Sequence, residues 1–338
     1  MKQQAEIASY FKTKRKILLT THVRPDGDAI GSVLALYHFF HLQGHQVNML
    51  FPSDYPNYYS WFPGIEQVQV WKNDDVKLKE MISAIEVLIA VDFNQLSRNG
   101  DLGKYLSGLN VVKVLMDHHP EPESIFQFQV WDTSYCAAAE AVFELIDYMD
   151  ASFLKNKDIS TCIYAALISD SGSFSFSSVS ASTFRIAARL VETGINHELI
   201  QRQIFNNFTE KRLRFWAHVV AEKMTVVPEA KLVYILIHKE DLKCFDVKPA
   251  DTENLVNFPM MLKDILVSVL IMEREDYIKL SFRSKNKVPV NFVARDFFNG
   301  GGHTNAAGGE SKGSLEETIA LIIEQFSKIV PEIEQNQS

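Results

Sequence analysis

The feature that most limits how this chain can fold is where its acidic and imidazole side chains stand. They come directly after short apolar runs. His22, Asp26 and Asp28 follow the run at 16–21, Asp92 follows 87–91, and Asp117, His118 and His119 follow 111–116. Together with 46–51, these runs read as β-strands. Longer amphipathic stretches separate them. Across 29–43, for example, Ile30, Val33, Leu34, Tyr37 and Phe40 share one face of a helix. Further helices are expected over 137–149, 159–168 and 182–192. Strands alternating with helices imply an α/β domain with a parallel sheet covered by helices on both faces. Such a sheet binds ligands in the crevice at the carboxyl ends of its strands, so the three groups of polar residues converge on one place. Asp170, after the apolar helix at 159–168, is a candidate to join them.

With 338 residues, the chain exceeds the size at which one core stops growing. Three segments are expected: an α/β domain over 1–195, a helical connector over 196–223 and a smaller α/β domain over 224–338. The last should carry a mixed sheet with strands at 226–227, 232–237, 265–272 and 277–282, closed by an amphipathic helix at 315–329. The hydrophobic share of 46% and charged share of 22% are those of packed domains, not of disorder. A formal net charge of -8 disfavours a broad basic surface for long nucleic acid. Cys136, Cys162 and Cys244 are widely spaced, without a metal-binding or redox pair, which suits a reducing compartment. Residues 1–16 are polar and basic, no run is long enough to span a bilayer, and a cytoplasmic protein is expected.

Each motif has an ordinary reading when taken alone. Pro25-Asp26-Gly27-Asp28 is turn and N-cap chemistry, Asp92 can cap the next segment, and His118 can be a satisfied core histidine. Coincidence at one end of one sheet weighs against these readings. Crowded carboxylates repel, and their pKa values rise unless positive charge is supplied. Carboxylates with neutral imidazoles suit Mn²⁺, with Mg²⁺, Co²⁺ or Fe²⁺ as substitutes, and the lack of thiolates argues against structural zinc. Two such ions about 3.5–4 Å apart can share a carboxylate and activate a water.

These blocks resemble the DHH phosphoesterase family. Its naming motif stands here as Asp117-His118-His119, and the other blocks follow in family order as Thr21-His22-Val23-Arg24-Pro25-Asp26-Gly27-Asp28, Val91-Asp92 and Ser169-Asp170-Ser171-Gly172. Near the end, Gly300-Gly301-Gly302-His303-Thr304-Asn305-Ala306-Ala307-Gly308-Gly309 resembles the glycine-rich signature of the DHH-associated C-terminal domain. The resemblance implies one divalent cation held by His22, Asp26 and Asp92 and a second held by Asp28, Asp92, His118 and Asp170. Asp92 would bridge the two, with a hydroxide between them as nucleophile. It also implies that Asp117 orients neighbouring imidazoles and that His119 faces the scissile phosphate.

Substrate contacts are expected from the glycine-rich segment, where Gly301, Gly302, His303, Thr304 and Asn305 can bring backbone N–H groups close to an anion. Arg283, at the end of a strand, can clamp a phosphate. Arg98 is either a substrate contact or a charge at a helix end. Phe174 and Phe176, alternating with serines after Asp170, are expected to pack internally, with base stacking as the alternative. Size and domain content resemble the branch of the family that cleaves short RNA oligonucleotides to 5'-mononucleotides and releases phosphate from nucleoside bisphosphates such as pAp. Competing readings are a phosphodiesterase for linear or cyclic dinucleotides (pApA, c-di-AMP), an exopolyphosphatase-like enzyme, and a non-catalytic binding module. The resemblance also implies homodimerisation through the first domain.

Overall fold

A computed structural model describes residues 2–285 and 288–335 and divides into two compact units, 1–207 and 208–338. The first unit runs α1 (Lys2–Tyr10), β1 (Lys16–Thr20), α2 (Gly27–Leu42), β2 (Gln46–Phe51), β3 (Gln69–Val70), α3 (Val76–Ser83), β4 (Val87–Val91), α4 (Gly100–Ser107), β5 (Val112–Asp117), β6 (Phe128–Trp131), α5 (Ala138–Asp150), α6 (Lys157–Asp170), α7 (Ala181–Glu192) and α8 (His197–Phe205). Its sheet has the order β3-β2-β1-β4-β5-β6 and every pairing is parallel.

Strand period two explains how this sheet is buried on both sides. Ile17 and Leu19, with Val87, Ile89 and Val91, enter the core built with α2, α5 and α6. Leu18, Leu88 and Ala90 point the other way, into a second core with Leu78 and Ile82 of α3 and Leu102 and Leu106 of α4. Strand order reverses between β1 and β4. Such a switch point leaves a crevice at the strands' carboxyl ends.

The second unit runs α9 (Glu210–Glu222), β7 (Met224–Val227), β8 (Leu232–Ile237), α10 (Lys239–Cys244), β9 (Val267–Glu273), β10 (Ile278–Ser284), α11 (Val290–Phe297), β11 (Gly301–His303), β12 (Ala306–Ser311) and α12 (Leu315–Gln335). Its sheet, in the order β11-β12-β10-β9-β8-β7, is mixed: β8 and β9 are parallel and the other pairs antiparallel. Val267, Val269, Ile271, Leu280 and Phe282 pack on one face with Ile322 and Phe326 of α12. Ile235, Ile237, Leu270 and Met272 pack on the other with Phe215 and Val219 of α9.

Several features depart from expectation. The stretch expected as a connector is divided: α8 lies in the first unit, where Ile200 joins the core, and α9 belongs to the second. The glycine-rich segment is a β-hairpin, β11 to β12, at the edge of the second sheet. Strand β6 was not expected, because an edge strand with a single buried residue, Val130, carries little hydrophobic pattern. Helix α1 and the turn after it seat Ile7 and Phe11 in the core from a segment that reads as merely polar. Phe174 packs on the core as expected, but Phe176 is 48% exposed. No helix among the described residues is long and apolar enough to cross a membrane.

Candidate metal centre

The carboxyl ends of β1, β4 and β5 and the N-terminus of α2 bring the first unit's polar motifs together. After β1, buried Asn99 steadies the chain, its Nδ2 donating to Thr20 Oγ1 (2.9 Å) and to the Thr21 carbonyl. The backbone then turns into α2, which Asp26 caps: Oδ1 accepts the N–H groups of Asp28 and Ala29, each at 3.1 Å. The N-cap reading of this motif is therefore right, and it is compatible with a second role for the same carboxylate.

Asp28 sits in the first turn of α2 and is buried. Its Oδ1 accepts from Ser32 Oγ (3.0 Å) and from Ala139 N–H (3.1 Å), and its Oδ2 accepts from Ala138 N–H (2.6 Å). Helix α5 has no capping side chain of its own. Asp28 supplies the cap from far along the chain.

Asp92 directly follows β4 with φ +62°, a left-handed conformation, while its N–H still donates to the Met116 carbonyl (2.9 Å). Backbone strain of this kind costs on the order of 1–3 kcal/mol and collects at functional sites. The turn aims the carboxylate into the cluster. His22 Nε2 lies 3.4 Å from Oδ2, and His118 Nε2 and His119 Nδ1 lie 3.4 and 3.6 Å from Oδ1. Oδ1 is buried and makes no hydrogen bond among the described residues.

The imidazoles are held by their other nitrogens. His22 Nδ1–H donates to the Val23 carbonyl (3.0 Å) and His118 Nδ1–H to the Tyr135 carbonyl (3.2 Å), which directs both Nε2 atoms to the carboxylates. His118 Nε2 also lies 3.6 Å from Asp170 Oδ2, at the C-terminal end of α6. Fully buried Asp117 accepts from His119 Nδ1 at 2.8 Å. Trp131 Nε1 donates to the His119 carbonyl at 2.6 Å.

Three groups of donor atoms result, each with its members within 4.8 Å of one another: His22, Asp26 and Asp92; Asp28, His118 and Asp170; and Asp92, Asp117, His118 and His119. Their charges are strongly coupled. Burial, together with the negative charges of Asp92 and Asp170, pushes the Asp28 carboxyl well up, against the pull of the His118 imidazole. Burial works the same way on Asp92, but the His118 and His22 imidazoles outweigh it and hold Asp92 well below the usual carboxylate range. For His22, burial lowers the pKa, yet Asp92 and Asp26 raise it to about 9. His118 moves up for the same reason, through Asp92 and Asp170. A cluster this rich in negative charge binds positive charge, as protons on imidazole or as cations. The hard oxygen and imidazole donors, with the buried Oδ1 of Asp92 among them, fit divalent cations.

Arg98 lies in the 3-10 turn after β4, where its carbonyl accepts from Val23 N–H (2.9 Å) and its charge opposes protonation of His22. Ser32, Asn99 and the Ala138–Ala139 N–H pair were not anticipated. Only Ser32 left a trace in the sequence, four residues after Asp28 on one helix face.

Arg283, Gly301, Gly302, His303, Thr304 and Asn305 belong to the second unit. Arg283 is on β10, paired with Ala306 of the neighbouring strand β12. The Thr304 carbonyl accepts from Val290 N–H (2.9 Å), and Asn305 Nδ2 donates to Ser284 Oγ (2.8 Å). Gly302, at φ +144°, is a position only glycine fills, since a Cβ there would lie 2.4 Å from the Ala306 carbonyl oxygen. A Cβ on Gly301 would meet nothing within 4 Å, leaving that stretch of backbone open to an approaching ligand.

Residues 16–167 match the model of the DHH family, N-terminal domain, and residues 232–330 match the DHHA1 domain. The chain is similar to the bifunctional oligoribonuclease and PAP phosphatase NrnA of Thermus thermophilus, 29% identical over 91% of this chain and 88% of that protein. It is also similar to the Bacillus subtilis protein of the same description, 26% identical over 86% and 88%. Among solved structures, an exopolyphosphatase-related protein from Bacteroides fragilis superposes with a TM-score of 0.93 at 32% identity, covering 98% of each chain. Matched by both domain models in order and by full-length relatives, the chain belongs to the DHH family of phosphoesterases and carries a DHHA1 domain.

Proposed function

We propose that this enzyme is a manganese-dependent phosphoesterase that releases 5'-mononucleotides from short oligoribonucleotides and converts pAp to AMP and phosphate. The observation that carries the reading is the meeting of two carboxylate–imidazole groups around Asp92, whose buried Oδ1 has no hydrogen bond among the described residues. Relatives named for both activities span nearly the whole chain and support the choice of substrate.

In this reading His22, Asp26 and Asp92 hold one divalent cation, and Asp28, Asp92, His118 and Asp170 hold a second. Bound there, the cations supply Lewis-acid charge to phosphoryl oxygens and acidify water. The protein's own groups do the rest. Asp117, by accepting from His119 Nδ1, fixes the ring so that Nε2 is the atom offered to the scissile phosphate. The carbonyls of Val23 and Tyr135 hold the ligating tautomers of His22 and His118. Arg98 adds positive charge beside His22. In the second unit, Arg283 and the backbone of Gly301 to Asn305 offer an anion-binding surface.

The likeness to the exopolyphosphatase-related protein from Bacteroides fragilis keeps polyphosphate as a second reading. Purified protein with Mn²⁺ is incubated with pAp, pApA, a five-nucleotide RNA and polyphosphate, and the products are separated by chromatography. Mononucleotides from the RNA and AMP from pAp are expected; phosphate from polyphosphate alone would overturn the proposal in favour of the second reading.

A further inference from the structure

Directly after Asp170 the chain takes three consecutive left-handed residues: Gly172 (φ +56°), Ser173 (φ +56°) and Phe174 (φ +64°). Two of these carry side chains, and Phe is poorly suited to this conformation. Strain of this kind persists only where the surroundings over-determine it. Here Ser173 N–H donates to the Ile168 carbonyl (2.8 Å), Ser175 and Phe176 N–H both donate to the Ser171 carbonyl (3.0 and 3.1 Å), and Ser171 Oγ accepts from Phe174 N–H (3.0 Å). Gln201 Nε2 holds Ser173 Oγ from α8 at 2.6 Å.

The result separates two aromatic rings. Phe174 turns inward toward Tyr164 and the core. Phe176 stands outward, 48% exposed, and the tip of its ring occupies the space a Cβ of residue 172 would need: that atom would lie 2.5 Å from Cζ and 2.7 and 2.9 Å from the two Cε atoms. A large apolar ring is thus kept at the surface by a strained, tightly bonded loop, with glycine beneath it. The arrangement leaves about half of the ring exposed, so full burial is not what it achieves. The ring's backbone is bonded to Ser171, the neighbour of Asp170 in the candidate metal centre.

We propose that Phe176 is a positioning residue on which a base of the oligonucleotide substrate stacks, next to the nucleotide being cleaved. This rests on the oligoribonuclease reading above. Stacking needs a π-face and no hydrogen-bond pattern, so it holds short RNA of any sequence. A preset ring also spares the entropy of ordering it on binding.

The test compares wild type, Phe176→Leu and Phe176→Trp in the Mn²⁺-loaded enzyme on a five-nucleotide RNA and on the same RNA with the bases removed beyond the terminal nucleotide. Phe176→Leu should raise KM for the intact RNA about five-fold or more with kcat little changed, lower KM discrimination against the base-free substrate, and leave thermal stability within a few degrees. Phe176→Trp should restore the wild-type KM. Equal KM for wild type and Phe176→Leu would overturn the proposal while leaving the function intact. So would a change of oligomeric state in Phe176→Leu without a change in KM, which would assign the ring to contact between copies. A wild type that cleaves no RNA would overturn the function and this inference together.

Discussion

The Asp28 carboxylate accepts the backbone N–H of Ala138 at 2.6 Å, so a candidate metal ligand on α2 is also the N-terminal cap of α5. This one contact ties the order of the chain to the geometry of the site. It predicts that Asp28 matters to the fold even when no cation is bound. In chelator-treated protein, Asp28→Ala should lower unfolding free energy by about 1–3 kcal/mol, because two buried N–H groups lose their acceptor. Asp28→Asn, which keeps one acceptor oxygen, should lose less. Denaturant titrations with chelator present measure this; an alanine variant as stable as wild type would show that α5 is capped some other way.

Asp92 lies 3.4 Å from His22 through Oδ2 and 3.4 Å from His118 through Oδ1, and in the proposed function it is the ligand shared by both cations. Asp92→Asn keeps the shape and removes the charge. Metal content by mass spectrometry should fall from two ions per chain to one or none, and turnover of pAp should drop at least a hundred-fold. Retention of both ions with full turnover would exclude Asp92 as the bridge.

The pKa of His22, raised from 6.5 to about 9, sets a pH window. A raised folded-state pKa stabilises the protein fully below pH 6.5, and that stability is lost as pH climbs through about 9. Chelator-treated protein should therefore become less stable between pH 6.5 and 9. Cation binding must displace the proton, so Mn²⁺ affinity should rise over the same window and protons should be released, as calorimetry in buffers of different ionisation enthalpy will show. Affinity independent of pH from 6.5 to 9 would argue against His22 as a ligand.

Gly301 and Gly302 separate conformational need from ligand access. Gly302→Ala meets both φ +144° and the Ala306 carbonyl and should destabilise the second unit by more than 1 kcal/mol. Gly301→Ala has room for its methyl group, so thermal melting should match wild type. If Gly301 backbone faces a phosphate, that variant should still raise KM for pAp several-fold. An unchanged KM would remove Gly301 from the substrate contacts.

How much was legible depends on the range of the interaction. The strands β1, β2, β4 and β5 are apolar runs buried on both faces, and their boundaries were recoverable to within about one residue. The chemical motifs stand at the ends of those strands, so the sheet rule by itself brings His22, Asp28, Asp92 and His118 to one crevice. The edge strand β6 was not legible because it is only four residues long with a single buried side chain, and the hairpin β11 to β12 was not because glycine and small residues carry no period-two signal. The same holds for Phe176: alternating Ser and Phe fit packing on both rings, and only the left-handed backbone at 172–174 turns one of them out.

The sequence by itself determined the sheet, the residue types of the site and their convergence, because those follow from hydrophobic period and from the rule that places ligands at strand ends. Tertiary structure decided what joins residues far apart in the chain. It made Asp28 the cap of α5, directed the His22 and His118 rings through the Val23 and Tyr135 carbonyls, and gave Asp92 its left-handed turn with the carboxylate 3.4 Å from both imidazoles. These are hydrogen bonds and backbone angles fixed by packing, and no local pattern encodes them.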